Sequence, residues 1–118
     1  MFPYDGYSKL ATELAMSQDE ASMRSAVSRA YYASMHKSRI FAENGGKIFE
    51  SKGTPDIHKE VVDYYKYKDS MLYSLVATKL GRLRTSRNEC DYNDNIKNVK
   101  SITENAILDL KDIFGYSL

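Results

Sequence analysis

The sequence predicts an all-α fold, an up-and-down bundle of four to five helices that forms a single domain over residues 1–118. Apolar residues recur at steps of three and four along most of the chain, which is the period of one face of a helix. Proline occurs only at positions 3 and 55, so long helices can run without interruption. No pair of segments has the pattern of a β-hairpin.

The first helix is predicted over about residues 4–16 and the second over about residues 19–43. Ser17 is followed three residues later by Glu20, which is a capping-box pattern that marks a helix start. One face of the second helix carries Met23, Val27, Ala30, Ser34 and Phe41. Asn-Gly-Gly at residues 44–46 is expected to end this helix, because glycine is favoured where helices terminate.

A third helix is expected to start near Asp56, because residues 54–55, Thr-Pro, place an N-cap before a first-turn proline. The fourth helix has an apolar stripe formed by Leu72, Val76, Leu80 and Leu83. It is expected to extend towards Cys90. The sequence leaves open whether the third and fourth helices are joined or broken at residues 66–69.

The last helix, expected from Asn95 to about Phe114, has the clearest periodicity in the chain. Its apolar face consists of Ile96, Val99, Thr103, Ala106, Ile107, Leu110 and Phe114. Asn93 or Asp94 is expected to cap it. The short connections between helices favour antiparallel neighbours.

Composition excludes several functional classes. The segment from Met1 to Met16 has no basic start followed by an apolar run, and no stretch has the length of a membrane span, so a cytoplasmic protein is expected. Cys90 is the only cysteine, which excludes an intrachain disulfide and a cysteine-based zinc cluster. Neither histidine has metal-ligand spacing, and no glycine-rich phosphate loop occurs. No metal and no cofactor are therefore expected.

Arg87 is the first candidate functional residue, because it ends the apolar stripe of the fourth helix. A guanidinium at such a position is costly unless it is paired or lies at an open end. Asp91, four residues further on, can pair with it. The pair then either caps a helix end, which is the more common case, or belongs to a phosphate site in which Asn88 and Asp91 orient the arginine. Arg84 extends the basic stretch.

Arg29, Tyr32 and His36 form a second candidate cluster on one face of the second helix. Such residues can stack on a base and neutralise a phosphate, although a half-buried network between helices is the more common arrangement. His58 is expected at the surface or as a local cap partner. Cys90 is expected to be a packed thiol.

Three segments of the chain, taken in order, point to a known family. Residues 28–36 read S-R-A-Y-Y-A-S-M-H, residues 58–59 read H-K, and residues 80–92 contain L-G-R-L-R followed by R-N-E-C-D-Y. They are similar to the R-A-Y-Y-A-x-F-H, H-K and L-x-x-L-R…R-N-x-x-D-Y signatures of small stand-alone prokaryotic HEPN proteins. The chain therefore resembles the HEPN (higher eukaryotes and prokaryotes nucleotide-binding) family over about residues 25–93.

The resemblance implies a HEPN-like bundle that forms a homodimer, with two copies of the arginine motif in a shared cleft for RNA or a nucleotide. Many HEPN proteins are metal-independent RNA endonucleases that use an arginine, often a following polar residue, and a histidine after four intervening residues. Arg87 and Asn88 match the first two, and Tyr92 stands at the histidine position. The residues to which nucleotide binding is assigned are Arg29, Tyr32, His36, Arg84, Arg87 and Asp91.

Relatives of this kind often act as toxins or defence components paired with a nucleotidyltransferase antitoxin, which can adenylylate the toxin near this motif. The tyrosine modified in some relatives lies two residues past the histidine. That position is Asp94 here, so this modification is not carried over.

Tyr92 changes what the resemblance implies for catalysis. Metal-free RNA cleavage needs a base for the 2′-hydroxyl proton and an acid for the leaving oxygen, each with a pKa near neutrality. Histidine meets this requirement unperturbed, whereas tyrosine has a reference pKa of about 10. Tyr92 can still position a phosphate or stack on a base. The resemblance therefore supports nucleotide binding by this chain more directly than RNA cleavage.

Two other functions are compatible with the sequence. One is a non-catalytic homodimeric interaction module, which the ten tyrosines would serve by covering an interface, with Arg87 and Asp91 as a structural pair. The other is a phosphotransfer bundle using His36, which is less favoured because the small residues and lysine expected around such a histidine are only partly matched by Lys37-Ser38.

Overall fold

Five helices account for most of the chain in the computed structural model, which describes residues 3–118. They are α1 (Asp5–Ala15), α2 (Glu20–Asn44), α3 (Ile57–Lys66), α4 (Met71–Tyr92) and α5 (Val99–Gly115). Over residues 3–118 no strand occurs. The predicted all-α class is therefore confirmed. Met1 and Phe2, which belong to the predicted domain, lie outside the described residues.

The long helix α2 is the central element of the fold. It contacts α1, α3, α4 and α5, and each helix also contacts the next one along the chain. Its 25 residues span about 37 Å, nearly the full 41 Å length of the molecule. Ala26, Ala30 and Ala33 are fully buried along it, and these small side chains let neighbouring helices approach closely.

Apolar side chains from all five helices form one core. Its largest fully buried apolar members are Tyr65, Leu80, Leu83, Leu110, Val27, Val61 and Val76. Each such side chain contributes roughly 1.5–3 kcal/mol to the free energy of unfolding. The buried Tyr65 hydroxyl donates to the Ser38 main-chain carbonyl over 2.7 Å, which joins α3 to α2. No described helix has the length and apolar character needed to cross a bilayer.

The start of the second helix, α2, differs from its prediction. The Asp19 carboxylate, and not the Ser17 hydroxyl, caps α2 by accepting from the Ser22 main-chain N–H at 3.1 Å. Ser17 instead accepts from the Asp19 N–H at 3.1 Å. The predicted capping box is wrong because Ser17 and Asp19 are both good N-caps, and the structure uses the second.

The third and fourth helices are separate. Lys66 ends α3, and Ser70 caps α4 by accepting from the Tyr73 N–H. Thr54 lies before α3 and accepts from the Asp56 N–H at 3.3 Å. The Glu60 carboxylate accepts from the Ser51 N–H at 2.8 Å, which anchors the preceding loop to the first turns of α3.

The last helix begins at Val99, so the predicted start at Asn95 is wrong. Asn98 is the N-cap residue, and neither Asn93 nor Asp94 caps the helix. A tertiary contact holds the segment before it: the Arg24 guanidinium donates to the main-chain carbonyls of Asn93 and Asp94 at 2.6 and 3.2 Å.

Candidate functional site

Arg87 lies in the last turns of α4, against α2. The centre of its guanidinium is 5.1 Å from the centre of the Tyr31 ring and 5.5 Å from that of Tyr32. Its Nη1 is 3.7 Å from an Asp91 carboxylate oxygen, and its side chain is 14% exposed. The Arg87 Nε is buried and has no hydrogen-bond partner among residues 3–118. Two aromatic rings, the Tyr92 side chain and one long ion pair therefore hold this cation, while its Nε stays unpaired.

The surroundings of Arg87 keep it charged. Burial opposes the charge, but the Tyr92 hydroxyl, the two tyrosines of α2 and Asp91 favour it, and together they raise the Arg87 pKa above its ordinary value. A permanently charged guanidinium is suited to binding an anion.

His58 belongs to the same cluster, and its predicted surface position is wrong. Its side chain is buried, and its Nδ1 lies 3.0 Å from the Tyr31 hydroxyl. Burial and then the positive charges of Arg84 and Arg87 lower the His58 pKa to about 4, so the imidazole is neutral at neutral pH. The partners of His58 lie more than 25 residues away in the sequence, so no local pattern indicates them.

The remaining residues of the arginine motif surround Arg87 on the outer side of α4. Arg84, Asn88, Asp91 and Tyr92 are exposed, and the Tyr92 side chain is 76% exposed. Steps of three and four residues place them on neighbouring faces of one helix. The end of α4 therefore presents two arginines, an amide and an accessible aromatic ring.

The cluster of Arg29, Tyr32 and His36 is divided between two sides of α2. The Tyr32 ring lies under the Arg87 guanidinium, as described above. The Arg29 guanidinium lies 5.2 Å from the Tyr7 ring centre, on the α1 side. Of the three, only Tyr32 therefore contacts the arginine motif directly.

His36 is part of a network between helices. Its ring stacks on the Tyr4 ring at 4.0 Å between centres, and its Nδ1 accepts from the Arg39 Nε at 3.3 Å. Burial and then Arg39 lower the His36 pKa to about 4, against a smaller opposing effect of Glu43. For His36, the structure therefore shows a half-buried network between helices, which the sequence analysis gave as the more common arrangement.

Arg24 fixes the C-terminal end of α4, and no local sequence pattern indicates this contact. In addition to Asn93 and Asp94, its guanidinium donates to the Cys90 carbonyl at 3.0 Å. The Cys90 carbonyl is one of the last four of α4, which have no partner within the helix. Cys90 itself is buried, and burial raises the pKa of its thiol to about 11, so it is a packed, protonated thiol as predicted.

Comparison with known proteins adds nothing to this geometry. Searches against protein-family models, curated proteins and solved structures found no match.

No group of three or more described histidine, cysteine, aspartate or glutamate side chains could hold a metal ion. A cavity of about 880 Å³ lies between α4 and α5, lined by residues such as Lys79, Arg82 and Asp109, and does not include Arg87.

Proposed function

We propose that this protein is a HEPN-type homodimer that binds RNA or a nucleotide through Arg84, Arg87 and the tyrosines around them. In this proposal it acts in the cytoplasm as a toxin or defence component, together with a nucleotidyltransferase-type partner. The sequence resemblance over residues 25–93 supports the family. The all-helical fold is compatible with it.

The observation that carries the proposal is the incomplete pairing of the Arg87 guanidinium. Its buried Nε has no hydrogen-bond partner in the described part of the chain, and its ion pair with Asp91 is long at 3.7 Å. Leaving a buried donor unpaired costs about 1–3 kcal/mol. The side chain as a whole is 14% exposed, and its planar guanidinium suits two parallel hydrogen bonds to a phosphate.

The neighbouring residues supply the other properties that a nucleotide site needs. Arg84 adds a second positive charge, and Asn88 adds an exposed amide. Tyr92 offers an accessible ring on which a base can stack. Arg29 and His36 contact side chains near α1 instead, and the proposal gives them a structural role.

Cleavage of RNA is a separate part of the proposal, because it needs a proton acceptor at the 2′-hydroxyl. Tyr92 occupies the position of the family's histidine, while His36 is half-buried and His58 is buried. We therefore expect binding to be the principal activity and cleavage to be slow or absent.

A fluorescence-anisotropy experiment with a short labelled single-stranded RNA, in the presence of a chelator, tests the proposal. Arg87→Ala should weaken binding by about 10- to 100-fold, because it removes a charge-assisted hydrogen bond and a phosphate contact. Lys66→Ala is the matched control, since it removes an exposed cation at the far end of α3. Equal RNA affinity in wild type and a folded Arg87→Ala variant would refute the site. A gel of the same mixtures reports cleavage.

The homodimeric interaction module is a second candidate that one surface feature favours. Met16 and Leu108 are 80% and 59% exposed and flank a groove of about 490 Å³ formed by α1, α2 and α5. Exposed apolar surface of this kind is typical of interaction sites. If this function is the correct one, Leu108→Glu should dissociate a dimer in sedimentation experiments while Arg87→Ala leaves RNA behaviour unchanged.

A further inference from the structure

His58, Tyr31 and Arg87 form a continuous chain of contacts across three helices. His58 lies in the first turn of α3, and its Nδ1 is 3.0 Å from the Tyr31 hydroxyl on α2. The Tyr31 ring in turn lies 5.1 Å below the Arg87 guanidinium on α4. His58 and Tyr31 are 7% and 3% exposed, so both are fixed by the packing around them. The position of Arg87 therefore depends on a ring whose hydroxyl is held by His58.

The electrostatic surroundings of His58 oppose its protonation. The helices packed against α3 are α2 and α4. From α2 the Tyr31 hydroxyl faces it, and from α4 the charges of Arg84 and Arg87 act on it. On α3 itself, the neighbouring Lys59 is paired with Asp63 and exposed. No carboxylate among the described residues shifts the pKa of His58, so both charges that act on it oppose its protonation.

We propose that His58 is a positioning residue for the anion site: through Tyr31 it holds the Arg87 guanidinium, and its protonation is coupled to occupancy of that site. This inference rests on the proposed function, because it requires an anion to bind at Arg84 and Arg87. A bound anion offsets the two positive charges that repel a proton from His58.

The coupling must act in both directions. If an anion makes His58 easier to protonate, then protonation of His58 tightens anion binding by the same factor. An increase in the His58 pKa of about one unit on binding corresponds to at most about a tenfold gain in affinity. With the His58 pKa of the free protein about 4, that gain is about twofold near pH 5. A histidine that only fills space would show no such dependence.

The test is an NMR titration of the two histidine Cε1–H signals, with inorganic sulfate as the probe. Sulfate stays a dianion throughout the range used, so the probe itself does not titrate. The chain has only two histidines, and His36→Gln assigns their signals. Sodium chloride at equal ionic strength is the control for general screening.

With sulfate we expect the His58 midpoint to move up by about one pH unit, while the His36 midpoint stays fixed, because the charges near His36 are Arg39 and Glu43 and not the two site arginines. Arg87→Ala should abolish most of the movement. His58→Gln, which keeps a hydrogen-bonding group near Tyr31 but cannot be protonated there, should bind sulfate without the gain near pH 5. His58→Ala should weaken binding at every pH, because Tyr31 loses its partner.

The outcomes separate this inference from the proposed function. If sulfate perturbs the Arg84 and Arg87 side-chain signals but leaves the His58 midpoint unchanged, the role of His58 is overturned and the anion site stands. If the folded wild type binds neither sulfate nor RNA, the anion site is overturned, and the role of His58 with it.

Discussion

The Arg87 guanidinium lies 5.1 Å from the centre of the Tyr31 ring, although 56 positions separate the two residues in the sequence. A cation over an aromatic face is attracted by the ring's electron density, by roughly 0.5–2 kcal/mol according to how far it is removed from water. Tyr31 therefore holds the arginine in place without using its hydrogen-bond donors.

Arg24 is expected to maintain the order of that helix end. Arg24→Ala should lower the free energy of unfolding by about 1–2 kcal/mol, because three main-chain carbonyls lose a charged donor. Hydrogen exchange at the amides of residues 91–94 should accelerate. Glu20→Ala is the control: it removes the long ion pair to Arg24 and the favourable acidic charge in the first turn of α2, and should cost less than about 1 kcal/mol. Unchanged exchange in Arg24→Ala would show that the helix end is stable without this contact.

Asp109 is expected to be the most sensitive acidic residue for stability. It is 6% exposed and receives two hydrogen bonds from Arg82, at 2.6 and 3.1 Å, with Lys79 at 3.6 Å. Asp109→Ala should cost about 2–3 kcal/mol in urea unfolding, less than a fully buried pair because Arg82 is half exposed. Asp112→Ala removes an exposed partner of Lys79 and should cost less than about 1 kcal/mol. Similar losses in both variants would contradict the role of burial.

Stability is expected to decrease as the pH falls below about 6.5. A histidine in the unfolded chain has a pKa of about 6.5. In the folded protein the pKa values of His36 and His58 are lowered to about 4, so between about pH 4 and pH 6.5 the unfolded chain binds more protons than the folded one. Urea midpoints measured from about pH 7 down to about pH 5 should fall, and most carboxylates stay charged in this range. His36→Gln and His58→Gln should each flatten the curve. A wild-type midpoint that stays constant over this range would show that the histidines are not held neutral.

The helices could be predicted from the sequence, because a buried face repeats every three to four residues whatever it packs against. The motif around Arg87 could be located for the same reason, since a charged residue interrupts an apolar stripe. His58 and Arg24 could not be found in this way. A single histidine in a first helical turn, or an arginine on a polar helix, has no local signature of its partners. The contacts of Arg24 with the carbonyls of residues 93 and 94 likewise come from another helix, and no local pattern indicates them.

Arg87→Lys is expected to separate charge from geometry at the site. Lysine keeps the positive charge but lacks the planar fork that matches two phosphate oxygens. RNA affinity measured by anisotropy should therefore fall between that of wild type and that of Arg87→Ala. An affinity equal to wild type would indicate that only the charge matters there.

The salt dependence of RNA affinity tests the central claim most directly. Each phosphate contact to a single strand contributes about 0.7 to the slope of log affinity against log salt concentration. If Arg87 contacts a phosphate, Arg87→Ala should reduce that slope by about 0.7 in magnitude, and the exposed-cation control Lys66→Ala should leave it unchanged. The same slope in wild type, Arg87→Ala and Lys66→Ala would contradict a phosphate-binding role for Arg87.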